Sequence, residues 1–143
     1  MLKITDAVAT LPAQDIERAR KFYEQKLGLT PGELSPDGGV MYKTGNTQIL
    51  VFPSNGKPSG DHTQVGLDVE DVTAAVSELK KSGVKFEEYD FPGLKTHDGV
   101  ADIGVDKGAW FKDSEGNLLA LSQRTAAAKS AAGGRGTATT NGR

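Results

Sequence analysis

The sequence predicts an α+β fold made of two tandem βαβββ modules, because three pairs of structural signals recur along the chain. The pairs are the helix-capping residues Asp15 and Asp71, the helix-ending residues Gly28 and Gly83, and the Gly-Asn turns that begin at Gly45 and Gly116. Their separations are 56, 55 and 71 residues. The larger last separation predicts an insertion of about 15 residues in the second module.

The module boundaries follow from these signals and from composition. We expect the modules at about residues 3–53 and 62–123, because the segment between them is rich in Pro, Gly and Ser and is typical of a linker. Residues 1–123 would then form one domain. A single α+β sheet with an accidental internal similarity is the alternative interpretation.

In the first module, residues 4–11 predict a strand that Pro12 ends. Asp15 predicts the start of a helix that ends at Gly28 and buries one face. Two short strands follow, over residues 40–44 and 47–52.

The second module repeats this order. A strand over residues 64–69 precedes a helix between Asp71 and Gly83, and further strands are predicted over 85–89, 108–112 and 118–123. Residues 91–104 are expected to form a long loop, which places the insertion there. Loops of this length in compact domains are usually functional or mobile.

Composition excludes several classes of protein. The formal net charge is −2, and residues 1–123 hold 13 Lys and Arg against 19 Asp and Glu, so no nucleic-acid partner is expected. No cysteine is present, and no apolar run approaches the length of a membrane span. We expect a cytoplasmic protein without membrane association. Residues 124–143 predict a disordered low-complexity tail.

Three segments resemble the glyoxalase/bleomycin resistance protein/dioxygenase superfamily, also called the vicinal oxygen chelate family. They read LPAQDIERARKFYEQKLGL, VGLDVEDVTAAVSELKKSGVKFEEYDFPGLKT and AWFKDSEGNLLALSQ. The resemblance covers about residues 3–123. It implies a curled mixed sheet with a concave ligand cavity, and a homodimer.

The resemblance also implies where a metal would bind. Enzymes of the family hold a divalent ion with His, Glu or Gln side chains from four strands, and these positions fall at Val8, Ile49, Gln64 and Ala120. Only Gln64 carries a donor atom, and one neutral amide cannot hold such an ion. We therefore expect no metal and no other cofactor.

Strand alternation suggests which side chains line the cavity. Trp110 and Phe111 must point to opposite faces. We assign Trp110 to the cavity and Phe111, with Tyr42, to the core, and the reverse assignment stays open. The expected ligand-binding residues are Val8, Thr10, Ile49, Val51, Gln64, Tyr89, Trp110, Leu118 and Ala120, with Gly66 also on the floor.

The favoured function is metal-free binding of a small aromatic or cationic molecule in this apolar cavity, with no catalytic residue. A cationic ligand would suit the acidic residues between 87 and 106. One alternative is an enzyme: a glyoxalase-like lyase or dioxygenase with a non-standard metal site, or a metal-free isomerase with His97 as its base. Another is an interaction module with a vestigial cavity.

Overall fold

The computed structural model describes residues 1–104 and 106–123, which form two mixed sheets and two helices. In chain order the elements are β1 (Ala9–Ala13), α1 (Ile16–Lys21) with a π-helical turn (Phe22–Lys26), β2 (Pro31–Leu34), β3 (Val40–Thr44), β4 (Thr47–Pro53), β5 (Thr63–Asp68), α2 (Val72–Lys81), β6 (Asp90–Phe91), β7 (Leu94–His97), β8 (Val100–Ile103), β9 (Asp106–Lys112) and β10 (Leu118–Gln123). The predicted tail, residues 124–143, lies outside the described residues.

The sheet order confirms the α+β class and the tandem modules. The first sheet has the order β1-β4-β3-β2, and the second has the order β5-β10-β9-β8-β7-β6. In each module the first strand pairs in parallel with the last, and the remaining pairs are antiparallel. Two sheets are present rather than one, so the single-sheet alternative is wrong.

The helix boundaries confirm the predicted signals. The Asp15 carboxylate accepts a hydrogen bond from the Arg18 backbone N–H, and Asp71 accepts one from that of Ala74, each at 3.0 Å. The closing residue Gly28 has φ 76°, a left-handed conformation that glycine adopts without a steric penalty. Local capping chemistry therefore marks where both helices begin, and tertiary hydrogen bonds from the Asp15 and Val72 backbone N–H groups to Glu115 and Gln123 add to it.

The first strand differs from its prediction. It begins at Ala9 rather than residue 4, because its ladder to β4 starts where Ala9 pairs with Ile49, and residues 1–8 have no strand assignment. Pro12 lies inside the strand instead of ending it. Since β1 is an edge strand, the backbone N–H that Pro12 lacks interrupts no ladder of hydrogen bonds. The exposed edge strand β2 was not predicted.

The region of the insertion also differs from its prediction. Residues 91–104 are not a long loop: β7 and β8 form a hairpin around the turn Asp98–Gly99, and β6 pairs with β7. The strand expected over residues 85–89 is reduced to one bridge between Phe86 and Phe111. The insertion therefore extends the second sheet by an additional edge.

The helices and both sheets share one main core. Tyr42 and Phe111 are fully buried in it, which confirms their assignment. A second, smaller cluster contains Ala101, Trp110, Leu118 and Ala120. In the part of the chain that the structure describes, no helix is long and apolar enough to cross a membrane.

A buried polar network joins the modules near the β9–β10 turn. The Asp113 carboxylate accepts hydrogen bonds from the Tyr23 hydroxyl at 2.5 Å and from Asn117 Nδ2 at 2.8 Å. Glu115 accepts two from the Arg18 guanidinium, at 2.7 and 3.0 Å. Asn117 Nδ2 also donates to the Pro12 carbonyl at 3.0 Å. The second module's turn is thereby fastened to the first module.

Candidate functional site

Trp110 lies at the inner end of a series of three aromatic rings. Its side chain is 2% exposed, and the Tyr89 ring meets it edge to face at a centroid distance of 5.6 Å. Tyr89 in turn stacks on Phe91 at 5.7 Å, and Phe91 is 56% exposed. The series therefore leads from a buried indole to the protein surface. Phe111 lies in the main core, as the sequence predicts, and Trp110 lies in the second cluster on the other face of β9.

The sheet beside Trp110 has a floor of small residues. Gly66 pairs with Ala120, which pairs with Trp110, and directly paired residues of neighbouring strands share a face. A Cβ atom built on Gly66 would meet no heavy atom within 4 Å. This face of the second sheet, opposite the main core, is called the outer face below. It has open space at Gly66, two strands away from Trp110.

A pocket of about 300 Å³ adjoins the outer face where the linker crosses between the modules. Residues that line it include Pro12, Phe52, Lys57, Pro58, His62 and Gln64. We call it the linker pocket. Gln64 connects it to the second sheet, because Gln64 lies on β5, the strand that also carries Gly66, next to a register shift in the β5–β10 pairing.

Gln64 carries an unused hydrogen-bond acceptor. Its Oε1 atom is buried and has no hydrogen-bond partner among the residues that the structure describes. An unpaired buried polar atom costs about 1–3 kcal/mol and requires an explanation such as a bound water or ligand. The linker pocket thus offers apolar walls together with one acceptor that the chain leaves unsatisfied.

The acidic residues of the second module do not converge on this pocket. Its described lining contains Lys57 and His62 and no carboxylate. Asp102 pairs with Lys107 at 3.0 Å, and Glu88 accepts a hydrogen bond from Thr96, which lowers the pKa of Glu88. These acids are engaged locally along the insertion.

Comparison with known proteins identifies the family. The model of the glyoxalase/bleomycin resistance protein/dioxygenase superfamily matches residues 5–121. The chain belongs to this superfamily. No curated protein shows a significant match to the sequence.

Solved structures of the superfamily's fold resemble this chain at low sequence identity. They include UcmS2, with a TM-score of 0.65 and 16% identity over 85% of this chain and all of that one. TnmS3, an antibiotic binding protein from Streptomyces sp. CB03234, has a TM-score of 0.59 and 20% identity over 87% of this chain and 100% of that one. The glyoxalase family protein from Enterococcus faecalis has a TM-score of 0.61 and 20% identity over 83% of this chain and 98% of that one. At these identities the likeness establishes the fold alone.

The positions that hold a metal in superfamily enzymes do not fit one here. Ile49 and Ala120 are buried and apolar, and Val8 is an exposed apolar residue before β1. Within residues 1–104 and 106–123, no group of three His, Asp or Glu side chains is arranged to hold an ion. Gln64 would be the sole donor of the four, so no chemical step is assigned to a metal.

The structure corrects the predicted face of β4. Ile49 and Val51 were expected on the cavity floor, but they lie in the main core, 2% and 1% exposed, opposite Tyr42 and Val40 of β3. The apolar run from Ile49 to Phe52 has no alternation, so the sequence did not reveal which residues face inward. Phe52, which reaches the linker pocket, was missed for the same reason.

The remaining predicted residues divide into two groups. Gln64, Tyr89, Trp110, Leu118 and Ala120 lie at the outer face or in its cluster. Thr10 is exposed on β1, and Val8, also exposed, precedes that strand, so both are separate from the Trp110 cluster. The predicted residues of the second module therefore lie near one another, and Val8 and Thr10 do not join them.

His97 does not reach the Trp110 side of the sheet. It lies on β7 next to Thr96, which pairs with Ala101 of the Trp110 cluster, and neighbouring residues of a strand point to opposite faces. His97 is also exposed and belongs to a regular hairpin rather than to a lid. The geometry gives no support to His97 as a base acting at Trp110.

Proposed function

We propose that this protein binds a small aromatic molecule without a metal, in the linker pocket and across the outer face of the second sheet. The observation that carries the proposal is Gln64 Oε1, a buried acceptor without a partner at the border between the two. A ligand N–H or O–H group would satisfy it and remove the cost of leaving it unpaired. The proposal includes no catalytic step.

The surroundings of Gln64 favour an aromatic ligand over a cationic one. Phe52 lines the linker pocket together with Gln64, and aromatic pairs add about 0.5–1.5 kcal/mol beyond their buried area. Lys57 in the linker pocket would repel a cation. The ligand class proposed is therefore a neutral ring system that carries a hydrogen-bond donor.

Aromatic antibiotics are the first compounds to test, since TnmS3 shares the fold and is an antibiotic binding protein.

We also propose a cytoplasmic homodimer in which the sheets curl to enclose the ligand. Enclosure by a second copy would suit a site that is open at Gly66.

Filling the open space at Gly66 tests the proposal. Gly66 has no positive φ, and a Cβ atom there meets no heavy atom within 4 Å, so Gly66→Val introduces no backbone strain and no clash at its Cβ. We expect the variant to keep its stability, or gain up to about 1 kcal/mol from a better strand residue, while losing ligand affinity at least tenfold. Affinity is measured by titrating EDTA-treated protein with a panel of aromatic antibiotics and following the single tryptophan, Trp110.

Two controls make the result specific. Glu33→Val places the same side chain on the exposed strand β2 and should leave affinity unchanged. Gln64→Leu removes the acceptor and should weaken binding by about 0.5–1.5 kcal/mol. If a compound binds the Gly66→Val protein as tightly as the unmodified protein, or binds only after Mn²⁺ or Zn²⁺ is added, the proposal is wrong.

A further inference from the structure

A second pocket lies on the seam between the modules, apart from the linker pocket. It has a volume of about 340 Å³, and three lysine side chains from different elements line it: Lys26, Lys85 and Lys112. Residues 1–123 carry an excess of acidic over basic side chains, so three lysines in one pocket run against the charge of the surrounding protein. We call this the lysine pocket.

None of the three lysines has a carboxylate within ion-pair distance among the residues that the structure describes; the ion pairs there involve Arg18, Arg20 and Lys107. Lys26 Nζ lies 6.0 Å from the centroid of the Phe22 ring and 3.6 Å from where a Cβ of Gly83 would be. Its ammonium group thus lies over a ring and beside a glycine, and not against an acid.

Of the two acidic residues in the wall, Asp113 is engaged in hydrogen bonds and forms no ion pair with these lysines among the described residues. Its Oδ1 accepts from the backbone N–H groups of Glu115 and Asn117, and its Oδ2 accepts from Tyr23 and Asn117, all within 2.9 Å. Glu87 remains as the one acid in the described wall without such a network. The described wall therefore holds three lysines and two carboxylates.

The shape of the pocket adds an apolar side. Phe22 and Val84 form part of the wall beside Lys26 and Lys85. Lys112 contributes the aliphatic part of its side chain to the wall, and its ammonium group lies near Gly60. Lys112 therefore adds positive electrostatic potential to the pocket rather than a direct contact with a ligand. A ligand that fits has a compact anionic end for two ammonium groups and a small apolar part for the wall.

We propose that the lysine pocket binds a phosphomonoester, with the phosphate group between Lys26 and Lys85 and its organic part against Phe22 and Val84. Lysine ammonium groups are suitable point charges for phosphate, each with three donors. The site uses no residue of the linker pocket, so its occupation is independent of the function proposed above.

Calorimetric titration of the full chain at low salt tests this, with phenyl phosphate, inorganic phosphate and benzyl alcohol as probes. We expect saturable binding of both phosphates, with a higher affinity for phenyl phosphate than for inorganic phosphate, and no binding of benzyl alcohol. The Lys26→Gln/Lys85→Gln variant should bind phenyl phosphate about tenfold more weakly, since each exposed ion pair contributes up to about 1 kcal/mol. Equal affinity for both phosphates would overturn the assignment of the apolar wall.

A matched variant, Lys21→Gln/Lys43→Gln, removes the same charge at exposed positions and should bind as the unmodified protein does. If it weakens binding equally, only net charge is involved and the proposal is overturned. Lys26→Arg/Lys85→Arg keeps both charges and should retain binding. Loss of thermal stability in the Gln variant, with phosphate affinity unchanged, would make Lys26 a structural cation near the end of α2 and also overturn the proposal.

Discussion

The two modules contain the same Gly-Asn turn in two different environments. Asn46 lies exposed at the tip of the β3–β4 hairpin, whereas Asn117, at the start of β10, is completely buried. Asn117 donates to Asp113 and to the Pro12 carbonyl of the first module. One copy of the turn only reverses the chain, and the other also joins the modules.

This difference shows how a repeated plan acquires two roles. The first module's turn bonds within itself, through the Thr44 and Thr47 hydroxyls at 3.0 Å. The second module's turn places Asp113 and Glu115 against α1 and its π-helical continuation. There the Tyr23 hydroxyl donates a hydrogen bond to Asp113, and the Arg18 guanidinium donates to Glu115. Local sequence sets the turn in both cases, and only tertiary contact decides whether it carries stability.

The largest expected effect comes from truncating the two asparagines. Asn117→Ala removes one hydrogen bond to a carboxylate and one to a carbonyl, and should lower the free energy of unfolding by about 3 kcal/mol. Asn46→Ala, at the equivalent exposed position, should change it by less than about 0.5 kcal/mol. Urea denaturation followed by Trp110 fluorescence measures both. Equal effects at the two sites would mean that the second turn does not join the modules.

Acid should weaken the second turn before the first. Burial of Glu115 raises the pKa of its carboxyl, but the Arg18 guanidinium, the Asp15 backbone N–H and Ser114 outweigh this and lower the pKa to about 2. Because the pKa is lowered, the ionised carboxylate stabilises the fold fully when the pH is above the ordinary pKa, near 4.5. This contribution disappears as the pH falls toward 2. Because Arg18 is half exposed, we expect about 2 kcal/mol rather than the full value of the shift.

Stability measured from pH 6 to pH 2 separates this contribution from other acids. Glu115→Gln should be less stable at pH 6 and lose less on acidification than the unmodified protein. Glu33→Gln, on the exposed edge strand of the first module, should leave the profile unchanged. If Glu115→Gln and the unmodified protein show parallel profiles, the Arg18–Glu115 pair contributes nothing to folding.

The features that the sequence predicted are those set by local chemistry. Asp15 and Asp71 cap their helices, Gly28 takes a left-handed conformation, and β10 begins and ends where predicted. The strand β2 was missed because all four of its residues are exposed, so it has no apolar alternation. The turn Asp98–Gly99 is a recognisable hairpin signal and could have revealed β7 and β8.

The candidate site was predictable only where strands alternate. Phe111 was assigned to the core from its register with Tyr42 and lies there, whereas Ile49 and Val51 sit in an uninterrupted apolar run and were assigned to the wrong face. Gln64 was identified by position, but its unpaired Oε1 appears only when the linker folds beside it. Pockets formed by a linker have no signature in periodicity.

The smallest expected effect compares the outer edges of the two sheets. Phe91 on β6 is exposed but stacks on Tyr89, whereas Leu34 on β2 is 63% exposed and belongs to no core cluster of the described residues. Phe91→Ala should cost about 0.5 kcal/mol of stability, near the lower end for an aromatic pair, and Leu34→Ala should cost less. Trp110 emission should stay blue in both variants, because Tyr89 still covers the indole. A red shift in Phe91→Ala alone would show that the inserted edge holds Tyr89 in place and so controls access to Trp110.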